Sequence, residues 1–326
     1  MPDLLKIARQ AHRIFPLPSS LGWMAFAFVL VTDILWIAIA GYHIAPASLV
    51  NFATALFCII ALTGFALYGR DRKDLEPVVI WASATLFVVV FSLACVVLSY
   101  LAASLGLPLI DNKLAAFDTA LGFDWIGLLA FMNEHATFGI LTSMIYNSLF
   151  PQFALVVLLL SLTRHFDELR ELVDAYWITL LLSIVISGVL PALDPFGYYG
   201  LTLNPDDVVK PTAGIVFLPD LLSLRAGTFT TFDFGALQGM VAFPSFHAAL
   251  ALMMCWSLRR MPWVLLFLLP YNGLMLVATL TEGGHYLADV AAGSLILILV
   301  LALRHHLIQR KLTSGMQAAI ASPARV

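Results

Sequence analysis

The chain has 326 residues, of which 61% are hydrophobic and 11% charged, and its formal net charge at pH 7 is −3. Its mean hydropathy of +0.94 excludes an ordinary soluble domain. We therefore predict an all-α, polytopic transmembrane helical bundle without a soluble appendage, and we expect membrane lipids rather than nucleic acid as partners.

The N-terminal segment, residues 1–20, is predicted to be an interfacial amphipathic helix on the inner leaflet. Leu4, Ile7, Ala11 and Ile14 share one helical stripe, and the basic residues lie elsewhere on the helix. Because no small-residue cleavage site follows, this segment is not expected to be a cleaved signal peptide.

Eight apolar runs follow, and each approaches the ~20 apolar residues that a membrane-spanning helix needs. They cover residues 22–42, 47–69, 77–103, 138–162, 172–193, 243–258, 263–281 and 285–303. Residues 21–310 are therefore predicted to be a single membrane-embedded domain, and residues 311–326 a cytoplasmic tail.

Basic residues indicate the orientation, because cytoplasmic flanks of membrane helices are enriched in Lys and Arg. With eight spans, 14 of the 17 Lys and Arg residues fall on one side. The clusters on that side are Lys6, Arg9 and Arg13; Arg70, Arg72 and Lys73; Arg164 and Arg170; Arg259 and Arg260; and Arg304, Arg310, Lys311 and Arg325. Both termini are therefore predicted to be cytoplasmic, and Lys113, Lys210 and Arg225 fall on the outer side.

Two long segments are predicted on the outer side. Residues 104–137 are expected to form short interfacial or partly re-entrant helices, and residues 194–242 a lid or a wall of a substrate site. Within the fourth run, Tyr146, Asn147 and Gln152 are interpreted mainly as helix-to-helix hydrogen-bonding groups, with contact to a substrate as the alternative, and a kink is expected at Pro151. Tryptophans near span ends are expected to be interfacial anchors, including Trp23, Trp125 and Trp263.

Two motifs place a histidine at the start of an apolar run, where a polar group is costly unless it has a function. In Gly283-Gly284-His285-Tyr286-Leu287-Ala288-Asp289, His285 and Asp289 are four residues apart and share a helical face. In Phe243-Pro244-Ser245-Phe246-His247-Ala248-Ala249, Ser245 is predicted to cap a helix whose free amides would bind an anion. The predicted topology brings both histidines to the outer face, so they can share one site, and the combination suggests phosphoryl transfer.

These motifs resemble signatures of the type 2 phosphatidic acid phosphatase superfamily. Pro244-Ser245-Phe246-His247 is similar to its Pro-Ser-Gly-His signature, and His285 with Asp289 to its His-x-x-x-Asp signature. The bulky residue before His247 and the Gly-His-Tyr sequence at His285 look closest to the branch of the inositol phosphorylceramide synthases. The resemblance implies a six-helix phosphatase-like core in the C-terminal part, and it makes residues 21–310 a catalytic domain.

The chain also departs from the family pattern. The arginine expected six residues before His285 is replaced by Thr279, and Phe217 stands seven residues after Lys210, where Arg-Pro is expected. Arg225 and Lys210 are the outer basic residues near enough in sequence to bind the phosphate instead. These departures favour the phosphotransferase branch over a simple phosphatase.

The resemblance implies a metal-independent mechanism without a cofactor. His285 would attack phosphorus and form a phosphohistidine, and Asp289 would fix its tautomer. His247 would protonate the leaving alkoxide and then activate the acceptor, which is water or an alcohol. Ser245 with its helix amides and Arg225 would hold the phosphoryl oxygens. The expected substrate is a phospholipid or a polyprenyl or sphingolipid phosphate, and the expected location is a bacterial inner membrane with the site on the periplasmic side.

The same residues also fit other interpretations. His285 and Asp289 can form a purely structural pair, and with His247 they also make a familiar metal-ligand set. A protease with Ser245 as nucleophile fits less well, because Ser245 follows a proline at a helix start. A transporter with a His/Asp proton relay is the rival class, although the inverted repeat expected of one is not visible. The sequence does not identify the lipid or the oligomeric state.

Overall fold

A computed structural model describes residues 17–69, 71–202, 207–209 and 215–321, except for the side chains of residues 49, 52 and 308–321. The predicted amphipathic helix over residues 1–20 lies almost wholly outside the described residues, and so does Lys210.

Most of the described residues are helical. The helices are α1 (Ser20–Ala40), α2 (Ser48–Gly69), α3 (Glu76–Ala103), α4 (Asp111–Ala120), α5 (Trp125–Glu134), α6 (Ala136–Asn147), α7 (Leu149–Leu162), α8 (Phe166–Val189), α9 (Pro195–Tyr199), α10 (Leu218–Arg225), α11 (Phe246–Ser257), α12 (Pro262–Thr281) and α13 (Leu287–Ala321). A single 3₁₀ turn covers Lys73–Leu75, and the two-residue strands β1 (His43–Ile44) and β2 (Thr231–Phe232) pair in parallel. The structure confirms an all-α polytopic bundle.

Each of the eight predicted runs corresponds to one helix or to one bent pair. Among the described residues, five helices are long and apolar enough to cross a membrane, and up to seven spans result if each bent pair counts once. The fourth run is such a pair: α6 and α7 meet at 48°, and Pro151 lies in the first turn of α7. Residues 104–137 contain the two short helices expected there, α4 and α5, which are bent by 77°. Helix α11 has 12 residues and is therefore only about 18 Å long.

Local signals explain where several helices begin and end. Gly41 ends α1 in a left-handed conformation, with φ 72°, and its N–H donates to the carbonyl of Ile37. A proline in the first turn begins α3 and another begins α12, where a missing N–H costs nothing. Ser245 begins α11 as its N-cap, and its hydroxyl accepts a hydrogen bond from the backbone N–H of Ala248.

Helices α3 and α11 are the centres of packing. Helix α3 contacts α1, α2, α7 and α8, and helix α11 contacts α8, α12 and α13. The main core lies among α3, α7, α8 and α11 and includes Phe87, Phe91, Leu160, Leu172 and Met254, all nearly inaccessible to solvent. A second apolar cluster surrounds Tyr100, Phe232 and Tyr286 at the end of the bundle that carries the loop after α8.

Ion pairs join the helices at the opposite end of the bundle. The Glu171 carboxylate of α8 pairs with Arg259, which follows α11, at 2.6 Å and with Arg304 of α13 at 3.2 Å. Arg260 pairs with Glu168 at 2.8 Å. Arg259, Arg260 and Arg304 belong to the predicted cytoplasmic clusters, and their ion pairs join the end of α11 that lies away from the two histidines, and the middle of α13, to α8.

Helices α11 and α13 approach each other most closely where Gly293 faces Ser245. A Cβ at Gly293 would overlap the backbone carbonyl of Ser245, and the N–H of Ser245 donates to the carbonyl of Asp289 at 3.0 Å. Because Gly293 has no side chain, the start of α11 can pack directly against the backbone of α13.

We expect Gly293→Ala to destabilise the protein by about 1–3 kcal/mol, because the added methyl group forces the two backbones apart. Gly273→Ala on α12 is the matched control: a Cβ there meets no atom within 4 Å, so this helix-favouring change should raise stability slightly. Thermal unfolding in detergent measures both. Equal melting temperatures for the two variants would contradict the close contact.

Candidate active site

The turn between α12 and α13 presents His285. Gly284 adopts a left-handed conformation with φ 63°, which glycine allows without strain. The indole N–H of Trp125 donates to the carbonyl oxygens of Leu280 and His285, at 3.0 and 3.1 Å. Trp125 is therefore buried and braces the turn, and its prediction as an interfacial anchor was wrong.

Carboxylates satisfy the free amides at the start of α13. Asp118 of α4 accepts from the backbone N–H groups of Leu287 and Ala288 at 2.8 and 3.0 Å. Asp289 Oδ2 accepts from the N–H of Tyr286 at 2.9 Å. Unpaired amides at a helix start attract negative charge, so both carboxylates are stabilised where they lie.

His285 and Asp289 form a buried pair. Nδ1 of His285 lies 3.3 Å from Oδ2 of Asp289, and the two side chains are 5% and 0% exposed. A carboxylate at this distance can orient the ring with Nδ1–H toward it, and the ring also has a hydrogen bond to the backbone of Ala242. Burial lowers the pKa of His285 to about 4, so the ring is neutral at pH 7.

His247 faces this pair from the first turn of α11. The ring centroids of His247 and His285 lie 6.4 Å apart. Tyr146 stacks on His247 at 5.1 Å with an interplanar angle of 12°, and Phe150 contacts its edge at 5.8 Å. The structure thus brings the two predicted histidines together around one site.

Ser245 lies beside the two histidines, and its hydroxyl and its backbone N–H already make hydrogen bonds within the protein. Its side chain is fully buried, its hydroxyl caps α11 through Ala248, and its N–H binds the Asp289 carbonyl. The expected cap is present. Ser245 is also the link that ties His247 on α11 to Asp289 on α13.

Of the two predicted phosphate-binding cations, Arg225 and Lys210, only Arg225 lies among the described residues. Among the described residues, no hydrogen bond or ion pair joins Arg225 to His247 or His285, and one buried guanidinium nitrogen of Arg225 has no hydrogen-bond partner. Thr279, at the position of the arginine expected from the family pattern, donates its hydroxyl to the Met275 carbonyl at 2.7 Å. Its side chain is therefore occupied within its own helix.

A cavity of about 710 Å³ extends from His247 into the bundle. It runs along α3 from Ser99 to Thr85, about 21 Å of helix. Its apolar walls come from α3, α7 and α8 and include Val88, Leu93, Phe150, Val157, Leu180 and Ile184. Gln238 and Val241 of the long loop complete it, so part of the segment predicted as a lid or wall does form a wall.

Tyr146 was interpreted mainly as a helix-to-helix hydrogen-bonding group. Its ring stacks on His247, and both Tyr146 and Asn147 line the cavity. Glu282 was not singled out at all. It is 3% exposed, one of its oxygens has no hydrogen-bond partner among the described residues, and burial raises its pKa to about 7.

Asp111 and Asp118 were not singled out from the sequence, although both carboxylates accept hydrogen bonds from residues of the site. Asp111 accepts from the Tyr286 hydroxyl at 3.1 Å and from the N–H of Leu193 at 3.0 Å. The signal that could have found them is their spacing of seven residues, which puts both on one helical face. No group of three His, Cys, Asp or Glu in the described part of the chain is arranged to hold a metal ion.

Comparison with known proteins identifies the family. The model of the PAP2 superfamily matches residues 112–303, more than half of the chain, from α4 to α13 and including both histidine motifs. Neither a curated protein nor a solved structure matches the chain. The expected superfamily is confirmed, while the branch within it stays a prediction: this integral membrane protein belongs to the PAP2 superfamily of phosphatase-type enzymes.

Proposed function

We propose that the protein is a lipid phosphatase or phosphotransferase that forms a phosphohistidine on His285. The observation that carries the proposal is the meeting of three groups: the His285–Asp289 pair, His247 at a ring distance of 6.4 Å, and an apolar cavity that His247 helps to line. Membership of the superfamily supports the reaction type.

In the first step, Nε2 of His285 attacks phosphorus and the bond from phosphorus to the lipid oxygen breaks. The ring becomes a positively charged phosphoimidazole, which the Asp289 carboxylate stabilises through Nδ1–H. His247 donates a proton to the departing alkoxide. Two histidines that face each other can contact the phosphoryl group from opposite sides, as an in-line displacement requires.

In the second step, neutral His247 takes a proton from the acceptor, whose oxygen attacks the phosphohistidine. Water gives inorganic phosphate, and an alcohol gives a new phosphate ester. With Thr279 at the position of the expected arginine, we favour transfer of a phosphorylated headgroup to a lipid alcohol, as in the inositol phosphorylceramide synthases that the motifs resemble. No metal takes part in either step.

The start of α11 is the proposed seat of the phosphoryl oxygens. Ser245 caps this helix, and His247 is its second residue, so the positive end of the helix dipole points into the site. Arg225 and Lys210 would add charge from the long loop once the substrate is bound.

The cavity supports a lipid substrate. Its apolar walls extend for about the depth of one bilayer leaflet, and they begin beside the proposed catalytic groups. A hydrocarbon chain inside the cavity would leave its phosphate next to His247. We accordingly propose a phospholipid, a polyprenyl phosphate or a sphingolipid phosphate as substrate.

The proposed location is a bacterial inner membrane, with the site on the periplasmic side and both termini in the cytoplasm. The ion pairs of Arg259, Arg260 and Arg304 lie at the end of the bundle opposite to the histidines. Lys and Arg favour the cytoplasmic side, so this arrangement supports a periplasmic site.

Rapid acid-free quenching of the purified protein during turnover of radiolabelled phosphatidic acid or polyprenyl phosphate tests the mechanism. We expect acid-labile, base-stable label on His285. His285→Ala should lose several orders of magnitude in kcat, and His247→Ala about 100- to 10,000-fold with slowing of both half-reactions. EDTA should leave the rate unchanged.

His135→Ala is the matched control for these variants, because His135 is exposed, its ring stacks on Phe131, and its Nδ1 lies within hydrogen-bonding distance of the Phe131 carbonyl. Turnover that persists in His285→Ala, or that EDTA abolishes and zinc restores, would remove the phosphohistidine route.

Tyr146 supplies a flat surface that holds the His247 ring. We expect Tyr146→Leu to lower kcat about 2- to 10-fold, the equivalent of losing one aromatic pair. Tyr146→Phe keeps the ring and should stay near wild type. Equal losses in both variants would instead assign the role to the phenol hydroxyl.

Chain-length selectivity tests the cavity. Val157→Trp places a large side chain inside the cavity. Leu155→Trp does not, because Leu155, on the same helix, is 64% exposed and does not line the cavity. We expect Val157→Trp to raise KM for long-chain phosphatidic acid at least about 10-fold, equivalent to about two methylene groups left unburied. KM for a short-chain analogue should not change. An equal effect on both chain lengths would exclude this cavity as the chain site.

A further inference from the structure

The wall of the cavity contains a pair of hydroxyl groups. Ser92 of α3 and Tyr176 of α8 both line the cavity, and their hydroxyl oxygens lie 2.7 Å apart. The residues that line the cavity with them are mainly apolar. A polar pair in such surroundings either joins two helices or contacts a polar group of a ligand.

A third contact decides the direction of the hydrogen bond between the two hydroxyl groups. The Ser92 hydroxyl donates to the backbone carbonyl of Val88, one turn earlier in α3, at 2.5 Å. A serine hydroxyl has one hydrogen, so Ser92 has none left for Tyr176. The Tyr176 hydroxyl therefore donates to Ser92.

This arrangement leaves hydrogen-bond acceptors in the cavity wall and no donor. Both hydrogens of the pair are used within the protein, whereas the oxygens of Tyr176 and Ser92 each keep a lone pair. A ligand group that approaches the pair gains a hydrogen bond only if it brings its own N–H or O–H. A carbonyl group would instead meet lone pairs and lose its contact with water without compensation.

The pair lies near the proposed catalytic groups. Tyr176 contacts the ring of Phe246, the residue before His247, with centroids 5.4 Å apart, and it stacks on Phe153 at 5.1 Å. Tyr176 is buried, so its ring is held between these two side chains. A lipid with its phosphate at His247 would accordingly bring the first carbons of its backbone, rather than the ends of its chains, to the hydroxyl pair.

We propose that Ser92 and Tyr176 determine lipid specificity: the pair accepts a hydrogen bond from an N–H or O–H group close to the carbon that carries the phosphate. The site then favours an N-acylated amino-alcohol lipid, which has an amide N–H and a hydroxyl there, over a diacylglycerol lipid, which has only ester carbonyls. The inference rests on the proposed function, because it concerns the lipid that the same site would use.

Two defined lipids test this specificity. Ceramide 1-phosphate carries the amide N–H and the hydroxyl, and phosphatidic acid of equal chain length carries two ester groups instead. Release of inorganic phosphate from each is measured with the purified full chain in detergent. We expect the wild type to show about 5- to 100-fold higher kcat/KM for ceramide 1-phosphate, as sites that hydrogen-bond one substrate reject the analogue lacking the donor.

Two substitutions should change the use of different lipids. Tyr176→Phe removes the acceptor, so kcat/KM should fall about 5- to 100-fold for ceramide 1-phosphate and stay near wild type for phosphatidic acid. Ser92→Ala removes the group that binds the Tyr176 hydrogen, which then becomes available to an ester carbonyl. S92A should therefore raise kcat/KM for phosphatidic acid about 3- to 10-fold and reduce the preference for ceramide 1-phosphate.

Tyr271→Phe is the matched control. Tyr271 of α12 belongs to the same kind of pair: its hydroxyl lies 2.7 Å from that of Ser148, which donates to the Ile145 carbonyl at 2.6 Å. Tyr271 and Ser148 are both among the described residues, and neither lines this cavity. We expect Y271F to lower the melting temperature about as much as Y176F while it leaves the ratio of the two kcat/KM values unchanged.

Melting temperatures of all three variants accompany the kinetics, and Y176F with its control decides the question alone if S92A does not fold. A wild-type ratio of one or below overturns the proposal. So does a ratio that Y176F leaves unchanged, which would make the pair a structural link between α3 and α8, and so does an equal change of the ratio in Y271F and Y176F.

Labelling of His285 distinguishes this inference from the proposed function. If the wild type forms the phosphohistidine while the ratio does not respond to Y176F, only the role of the hydroxyl pair is wrong. Label from polyprenyl phosphate but from neither of the two lipids also contradicts this inference alone. If none of the three lipids gives label or inorganic phosphate, the proposed function itself is wrong.

Discussion

Asp118 and Asp289 accept hydrogen bonds from the backbone N–H groups at the start of α13, and the geometry of the candidate site depends on these hydrogen bonds. They fix the first turn of the helix that carries Asp289 and the turn that carries His285. Asp118 comes from α4, more than 160 residues earlier in the chain. A helix start that is normally free to bind an external anion is here occupied by the protein's own carboxylates.

The start of a helix can bind either the protein's own carboxylates or an external anion, and in this protein two different helices perform these two tasks. The start of α13 holds internal carboxylates, so its dipole stabilises Asp289 rather than a phosphate. The start of α11, capped by Ser245, carries His247 and is the helix end left for the substrate in the proposed mechanism. The contact of Gly293 with Ser245 keeps the two helix ends side by side. The division explains how negative charge can accumulate behind His285 without facing the phosphoryl group.

Hydropathy and the two motifs predicted most of the fold and the central residues of the site. Apolar runs report exposure to lipid, and the bundle has a helix or a bent pair in every predicted run. The motif spacing predicted that His285 and Asp289 share one helical face. The clustering of basic residues in alternate loops predicted that His247 lies at the same end of the bundle, and the two histidines do meet. These inferences rely on local periodicity and on charge counts, which depend little on tertiary packing.

The remaining site residues depend on packing that no local pattern records. A tryptophan near a helix end usually lies at the membrane interface, yet Trp125 turns inward because two carbonyls of the α12–α13 turn need a donor. Tyr146 lies at a bend between two helices, so its direction depends on the bend angle.

The short length of α11 links the fold to the proposed chemistry. At about 18 Å it cannot cross a hydrocarbon core of about 30 Å, and ion pairs of Arg259 and Arg260 fix its far end to α8. If that end lies at the cytoplasmic surface, His247 lies well below the opposite surface, among the upper parts of the lipid chains. The 710 Å³ cavity starts at this depth. A lipid could then keep its chain in an apolar environment while its phosphate moves down to His247, and the polar start of α11 would compensate for the water that the phosphate loses.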